Sequence, residues 1–136
     1  MARPTQHATH LRASTADLPS SVAAALAAPT AGQPGEVRVD DDGSAVGWPT
    51  MTWGLPADAP LLLVHGVTSN SRIWWRLGPA LAAAGRYVVA VDMPGHGRTA
   101  RAPRSYRFAD TAAELAAFLR AAGLDRPDLA VVGHSW

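Results

Sequence analysis

The chain has no cysteine and no lysine; its twelve basic residues are all arginines. Without cysteine there is no disulfide framework, no thiolate nucleophile and no cysteine-ligated zinc. Without lysine there is no Walker A phosphate loop, no Ser-Lys dyad and no Schiff-base amine, because each needs that nitrogen. Long apolar runs are missing too, and none approaches the roughly 18 residues that cross a bilayer. The best signal-peptide core, Val22 to Ala28, is separated from the N-terminal arginines by polar residues and Asp17, the wrong layout for contiguous targeting regions. The expectation is a cytoplasmic protein with no membrane partner. Charge is also sparse, at 17% of residues with a net charge of +1, which says little about partners; no nucleic-acid partner is expected.

What is present is apolar and patterned. Hydrophobic residues make up 48% of the 136, enough chain for at most one domain, and they concentrate after Pro60, where the core is expected. Residues 1–35 are rich in Ala, Pro, Thr and Ser and are interrupted by Pro4, Pro19, Pro29 and Pro34. They are predicted to be a disordered leader, with Ala23 to Ala28 as a possible short helix. His7 and His10 there lack the third ligand and the rigidity of a metal site. Glu36 to Asp40 alternates as a half-buried strand does, Asp41 to Gly43 supplies a turn, and 49–53 reads as a second strand.

Leu61 to His65, Tyr87 to Asp92 and Leu129 to Val132 are continuous apolar runs, suited to parallel strands buried on both faces. Between them, Trp75, Leu77, Leu81 and Ala84 space as a helix over 72–84, provided that Pro79 falls in a first turn. Adjacent Trp74 and Trp75 cannot both face inward. Thr111, Leu115, Phe118, Leu119 and Ala122 form an apolar stripe over 108–122, closed by Gly123. Strands alternating with helices predict an α/β fold over 36–136, a mostly parallel sheet with helices on both faces.

Three motifs carry chemistry. Leu129 to Val132 runs into Gly133-His134-Ser135-Trp136, a strand delivering Gly-x-Ser into a sharp turn. This resembles the nucleophile elbow of the α/β-hydrolase superfamily, with the chain stopping before the second glycine. His65-Gly66-Val67 resembles the segment after the third strand of that family, and Asp92-Met-Pro-Gly-His-Gly97 resembles the turn after the next one. The resemblance covers roughly 36–136 in the family's order. It implies the N-terminal half of the fold and a cofactor-independent serine hydrolase acting on an ester, thioester or amide, with a small-molecule acyl substrate. Ser135 would be the nucleophile and the backbone N–H groups of Val67 and Trp136 the oxyanion hole. His65, Gly66, Gly133 and His134 would support the motifs. Relatives that open epoxides or displace halide carry aspartate at the elbow, which sets those activities apart.

The resemblance also places the triad acid and histidine after the serine, and neither lies within these residues. The 136-residue chain alone is therefore expected to be inactive, with a non-catalytic remnant or binding module as the alternative. No metal or cofactor is expected, although two competing patterns stand. Gly95 to Ala100 fits the dinucleotide pattern G-x-G-x-x-A but continues into Arg101-Ala-Pro103 rather than a helix. His65, His96 and His134 fall at strand ends, where three histidines suit zinc. Arg98, Arg101, Arg104 and Arg107 form a basic stretch read as a solvated loop.

Overall fold

The computed structural model of the protein describes residues 15–100 and 102–135. Five strands form one sheet: β1 Gln33–Asp41, β2 Ser44–Trp53, β3 Ala59–Val64, β4 Arg86–Val91 and β5 Ala130–Gly133. Their order is β1-β2-β4-β3-β5. β1 and β2 form an antiparallel hairpin, β2 lies antiparallel to β4, and β3 runs parallel to both β4 and β5. The hairpin turns through Asp42 and Gly43, both at positive φ (53° and 86°), the two-residue geometry whose twist matches that of the flanking strands. The Asp40 carboxylate accepts the Gly43 N–H at 2.9 Å.

Alternation along β3 and β4 divides the core. Leu62, Val89 and Val91 face one side with Trp48, Phe118 and Leu124. Leu61, Leu63, Val88 and Ala90 face the other with Trp53 and Trp74. Trp48 stacks on Phe118 with ring centroids 5.4 Å apart. Burying each aliphatic side chain contributes about 1.5–3 kcal/mol relative to leaving it exposed, which is why the two apolar runs occupy the centre. The core also draws on Val39, Trp48 and Trp53, so it begins well before Pro60.

The described residues form three α-helices: α1 Ser20–Ala27, α2 Leu77–Ala83 and α3 Phe108–Ala121, of which α2 and α3 pack on the sheet. α3 follows its expected bounds and stops at Gly123, whose φ is 66°. There the Leu124 N–H reaches the Leu119 carbonyl and the Gly123 N–H the Arg120 carbonyl, a Schellman ending that satisfies two terminal acceptors. The continuous helix expected over 72–84 is corrected. A 3₁₀ turn at Ser71–Trp74 precedes a separate α2, because a proline ring at 79 clashes with a helical carbonyl four residues back and must sit in a first turn. Trp74 is buried and Trp75 exposed, as their adjacency requires.

The boundary of the leader is also corrected. Residues 1–14 lie outside the described residues, but 15–35 carry a 3₁₀ turn at Thr15–Asp17, α1 and the start of β1. α1 packs on α2, and the Leu26 carbonyl accepts the Arg76 guanidinium at 3.0 Å. The Thr30 carbonyl accepts the Trp53 indole N–H at 3.1 Å. Proline punctuates this stretch without preventing it from docking. No helix of the described residues is long and apolar enough to cross a membrane.

Candidate active site at the strand ends

β3, β4 and β5 are parallel and in register, with Val64 opposite both Val91 and Gly133. Their C-terminal ends therefore deliver three loops to one sheet edge, the place where open α/β sheets gather ligands. The loops are 65–70, 92–99 and 134–135, and they carry all three motifs.

Ser135 sits in the left-handed region at φ 57°. A serine there is strained by about 1–2 kcal/mol, and the residue is exposed at the strand end. The His134 N–H extends the β3–β5 ladder by bonding the Val64 carbonyl at 3.0 Å. The elbow lies directly against the loop after β3. A Cβ built on Gly66 would come within 2.6 Å of the His134 carbonyl oxygen and 2.9 Å of the Ser135 Cβ. Only glycine permits this approach. A Cβ on Gly133, by contrast, meets no described atom, and Trp136 lies outside the described residues.

The loop after β3 turns at Gly66 to Ser69, whose N–H bonds the Gly66 carbonyl at 3.2 Å. Thr68 has φ 67°, an uncommon conformation for a β-branched residue. The His65 ring is buried and both of its nitrogens are engaged: Nε2 accepts the Met93 N–H at 3.1 Å and Nδ1 donates to the Gly66 carbonyl at 2.8 Å. Burial depresses its pKa below 6.5, with the neighbouring His96 acting in the same direction and the Gly66 hydrogen bond and Asp92 opposing. His65 is thus a neutral structural histidine, with no lone pair free for a metal. The three histidines do not assemble a zinc set: the rings of His65 and His96 are 5.1 Å apart, while His134 packs edge-on against Trp74.

Asp92 ties the loops together, a role its motif did not reveal. Its buried carboxylate accepts the Ser71 N–H at 2.7 Å through Oδ1 and the Arg98 N–H at 3.0 Å through Oδ2, with the Arg98 guanidinium 3.4 Å away. Burial favours its neutral form, but hydrogen bonds from Ser71 and Arg98 and the Arg98 charge outweigh it, so its pKa lies below 3.8. Gly97, at φ 55°, passes so close that a Cβ would fall 2.4 Å from Oδ2. Gly95 to Ala100 is therefore a loop wrapped round a carboxylate and opens no helix, which removes the structural context of the dinucleotide alternative. The basic stretch is partly paired as well, Arg98 with Asp92 and Arg104 with Asp42.

Val67 and Ser135 line one cleft of about 260 Å³. Its wall is mainly apolar, from Met93, Pro94, Pro103, Tyr106, Phe108 and Leu115, and its one acidic residue is Glu114. Tyr106 and Phe108 are exposed. No local sequence pattern marks this cleft, because only the fold joins 103–115 to the elbow.

Comparisons with known proteins agree with this geometry. The family described as alpha/beta hydrolase fold matches residues 59–136. Epoxide hydrolase B of Mycobacterium tuberculosis is 35% identical over 78 residues, which are 56% of this chain and 21% of that protein. A haloalkane dehalogenase of Mesorhizobium japonicum is 37% identical over 76 residues, 56% of this chain and 24% of that one. The solved structure of a thioesterase domain from the curacin biosynthetic pathway superposes with a TM-score of 0.62 at 30% identity, covering 75% of this chain and 35% of its own. The chain thus spans about a fifth to a quarter of the length of these curated relatives. From the parallel register, the strained serine at the end of β5 and the family match over more than half its length, the chain belongs to the α/β-hydrolase family.

Proposed function

We propose that this chain carries the nucleophile and the oxyanion-hole donors of a serine hydrolase that cleaves an ester, thioester or amide through an acyl-enzyme. The observation that carries the reading is Ser135 itself, held at φ 57° at the end of a parallel strand and against Gly66. In the first step Oγ bonds to the substrate carbonyl carbon and its proton passes to a base. The bond to the leaving group then breaks, and the alcohol, thiol or amine departs with a proton. Water next adds to the acyl-serine ester, releasing the acid and restoring the hydroxyl. The Val67 N–H, with that of the residue after the serine, Trp136, would face the oxyanion.

The base and its acid partner belong to chain after Ser135 by the family's order. His65, although nearby, does not replace the base, since both of its nitrogens are engaged. Similarity to an epoxide hydrolase and a dehalogenase favours a second reading, attack at a saturated carbon. The chemistry of the side chain weighs against it. A carboxylate attacking such a carbon forms an ester that water can cleave, whereas a serine would form an ether and stop after one event.

The apolar cleft supports an uncharged, apolar acyl group as the substrate. In a version extended past Trp136, a fluorophosphonate is expected to label the protein covalently, and Ser135→Ala to abolish labelling. Absence of labelling in the parent sequence would favour a non-catalytic relative.

A further inference from the structure

The peptide joining Gly66 to Val67 is held from its carbonyl side. Its oxygen accepts two donors, His65 Nδ1–H at 2.8 Å and the Ser69 N–H at 3.2 Å. The peptide is trans, so its C=O and N–H point in opposite directions. Fastening the oxygen therefore aims the Val67 N–H away from the His65 ring. The proton on Nδ1 is itself dictated from the far side of the ring, because Nε2 accepts the Met93 N–H and must be bare. The loop needs such a tether, since Thr68, two residues beyond Gly66, is held at φ 67° against a cost of about 1–2 kcal/mol.

We propose that His65 is a positioning residue for acyl transfer: a single tautomer, imposed by the Met93 amide, holds the Gly66 carbonyl so that the Val67 N–H is presented to the oxyanion formed at Ser135. This rests on the assignment of Ser135 and Val67 above. It makes His65 a strut acting through a backbone peptide, with no part in proton transfer.

Two variants separate the two ring nitrogens. Asparagine at 65 places an amide donor near the Nδ1 position and gives up the acceptor for Met93. Glutamine reaches the Nε2 position with an acceptor and gives up the donor to Gly66. In nitrogen spectra of the 136-residue chain, His65 is expected to be protonated at Nδ1. The Gly66 carbonyl and Val67 amide resonances should be retained in His65→Asn and displaced in His65→Gln. In the extended version, the maximal fluorophosphonate labelling rate should fall about tenfold or more in His65→Gln, less than the 10²–10³ of a deleted oxyanion donor. His65→Asn should stay close to the parent, with the half-saturating probe concentration unchanged in both.

A proton on Nε2, an unmoved Val67 amide in His65→Gln, or equal rate losses in the two variants would overturn the proposal. If the parent sequence is not labelled, the hydrolase reading fails while the resonances still decide whether His65 orients this peptide. Should both variants fail to fold, the tautomer in the parent chain decides it.

Discussion

Gly66 is where two loops, nearly seventy residues apart in the chain, meet at backbone distance. A methyl group there would lie 2.6 Å from the His134 carbonyl and 2.9 Å from the Ser135 Cβ, and neither neighbour is the free end of a flexible side chain. Gly66→Ala must therefore push the elbow off β3 or move the loop. Overpacking of this kind costs about 1–3 kcal/mol. The expected outcome is a lower urea midpoint together with slower fluorophosphonate labelling in the extended version, larger than the stability loss alone would produce. Unchanged labelling with lowered stability would show that the 66–67 loop does not serve the serine. The glycine was visible in the sequence as part of a motif, but the contact that demands it was not. Gly133 shows the converse, since its motif position is clear while no described atom crowds it.

At the level of elements, local pattern read well wherever packing simply reinforced it. The stripe at Leu115, Phe118, Leu119 and Ala122 is the face that α3 buries, and the positive φ of Gly123 closes the helix as expected. Phe118 is fully buried and stacked on Trp48, so this aromatic pair is a central contact between α3 and the β1–β2 hairpin. Phe118→Ala is expected to cost about 3–5 kcal/mol, and Phe118→Leu clearly less, as measured by chemical denaturation. Equal, small effects would mean that Trp48 repacks and that the pair does not anchor the helix. What was misread lies elsewhere. The 72–84 helix is broken by Pro79 acting on the turn before it, and the short helix offered by Ala23 to Ala28 is present as α1, but a proline-rich composition does not reveal its docking on α2.

For the molecule as a whole, two buried titratable groups link stability to pH through the same loops. His65 has a folded pKa below its ordinary 6.5, so the unfolded chain takes up its proton first. The stability His65 contributes is complete above pH 6.5 and is lost as pH falls towards its folded pKa. Asp92 has a folded pKa below 3.8; its contribution is present above that value and is lost as pH falls through the folded pKa. Two separate acid steps are thus expected in a plot of denaturation midpoint against pH. His65→Asn should remove the upper step. Asp92→Asn should remove the lower one while leaving a buried acceptor unreplaced, at about 1–3 kcal/mol near neutral pH. A single step unaffected by either substitution would show that other groups govern acid unfolding.

The sequence by itself determined the alternation of strands and helices, the buried runs of β3 and β4 and the serine at the end of β5. These depend on residue spacing over one element, where the period of the backbone and the cost of exposing apolar surface act locally. The tertiary structure alone decided which polar atoms meet. Ser71 bonds Asp92 across 21 residues and Met93 bonds His65 across 28. Such pairings arise because a buried donor or acceptor must find a partner wherever the packed core brings one within reach, and no spacing in the chain records that reach. The Asp92 hub, the fixed tautomer of His65 and the apolar cleft beside Ser135 all belong to this second kind.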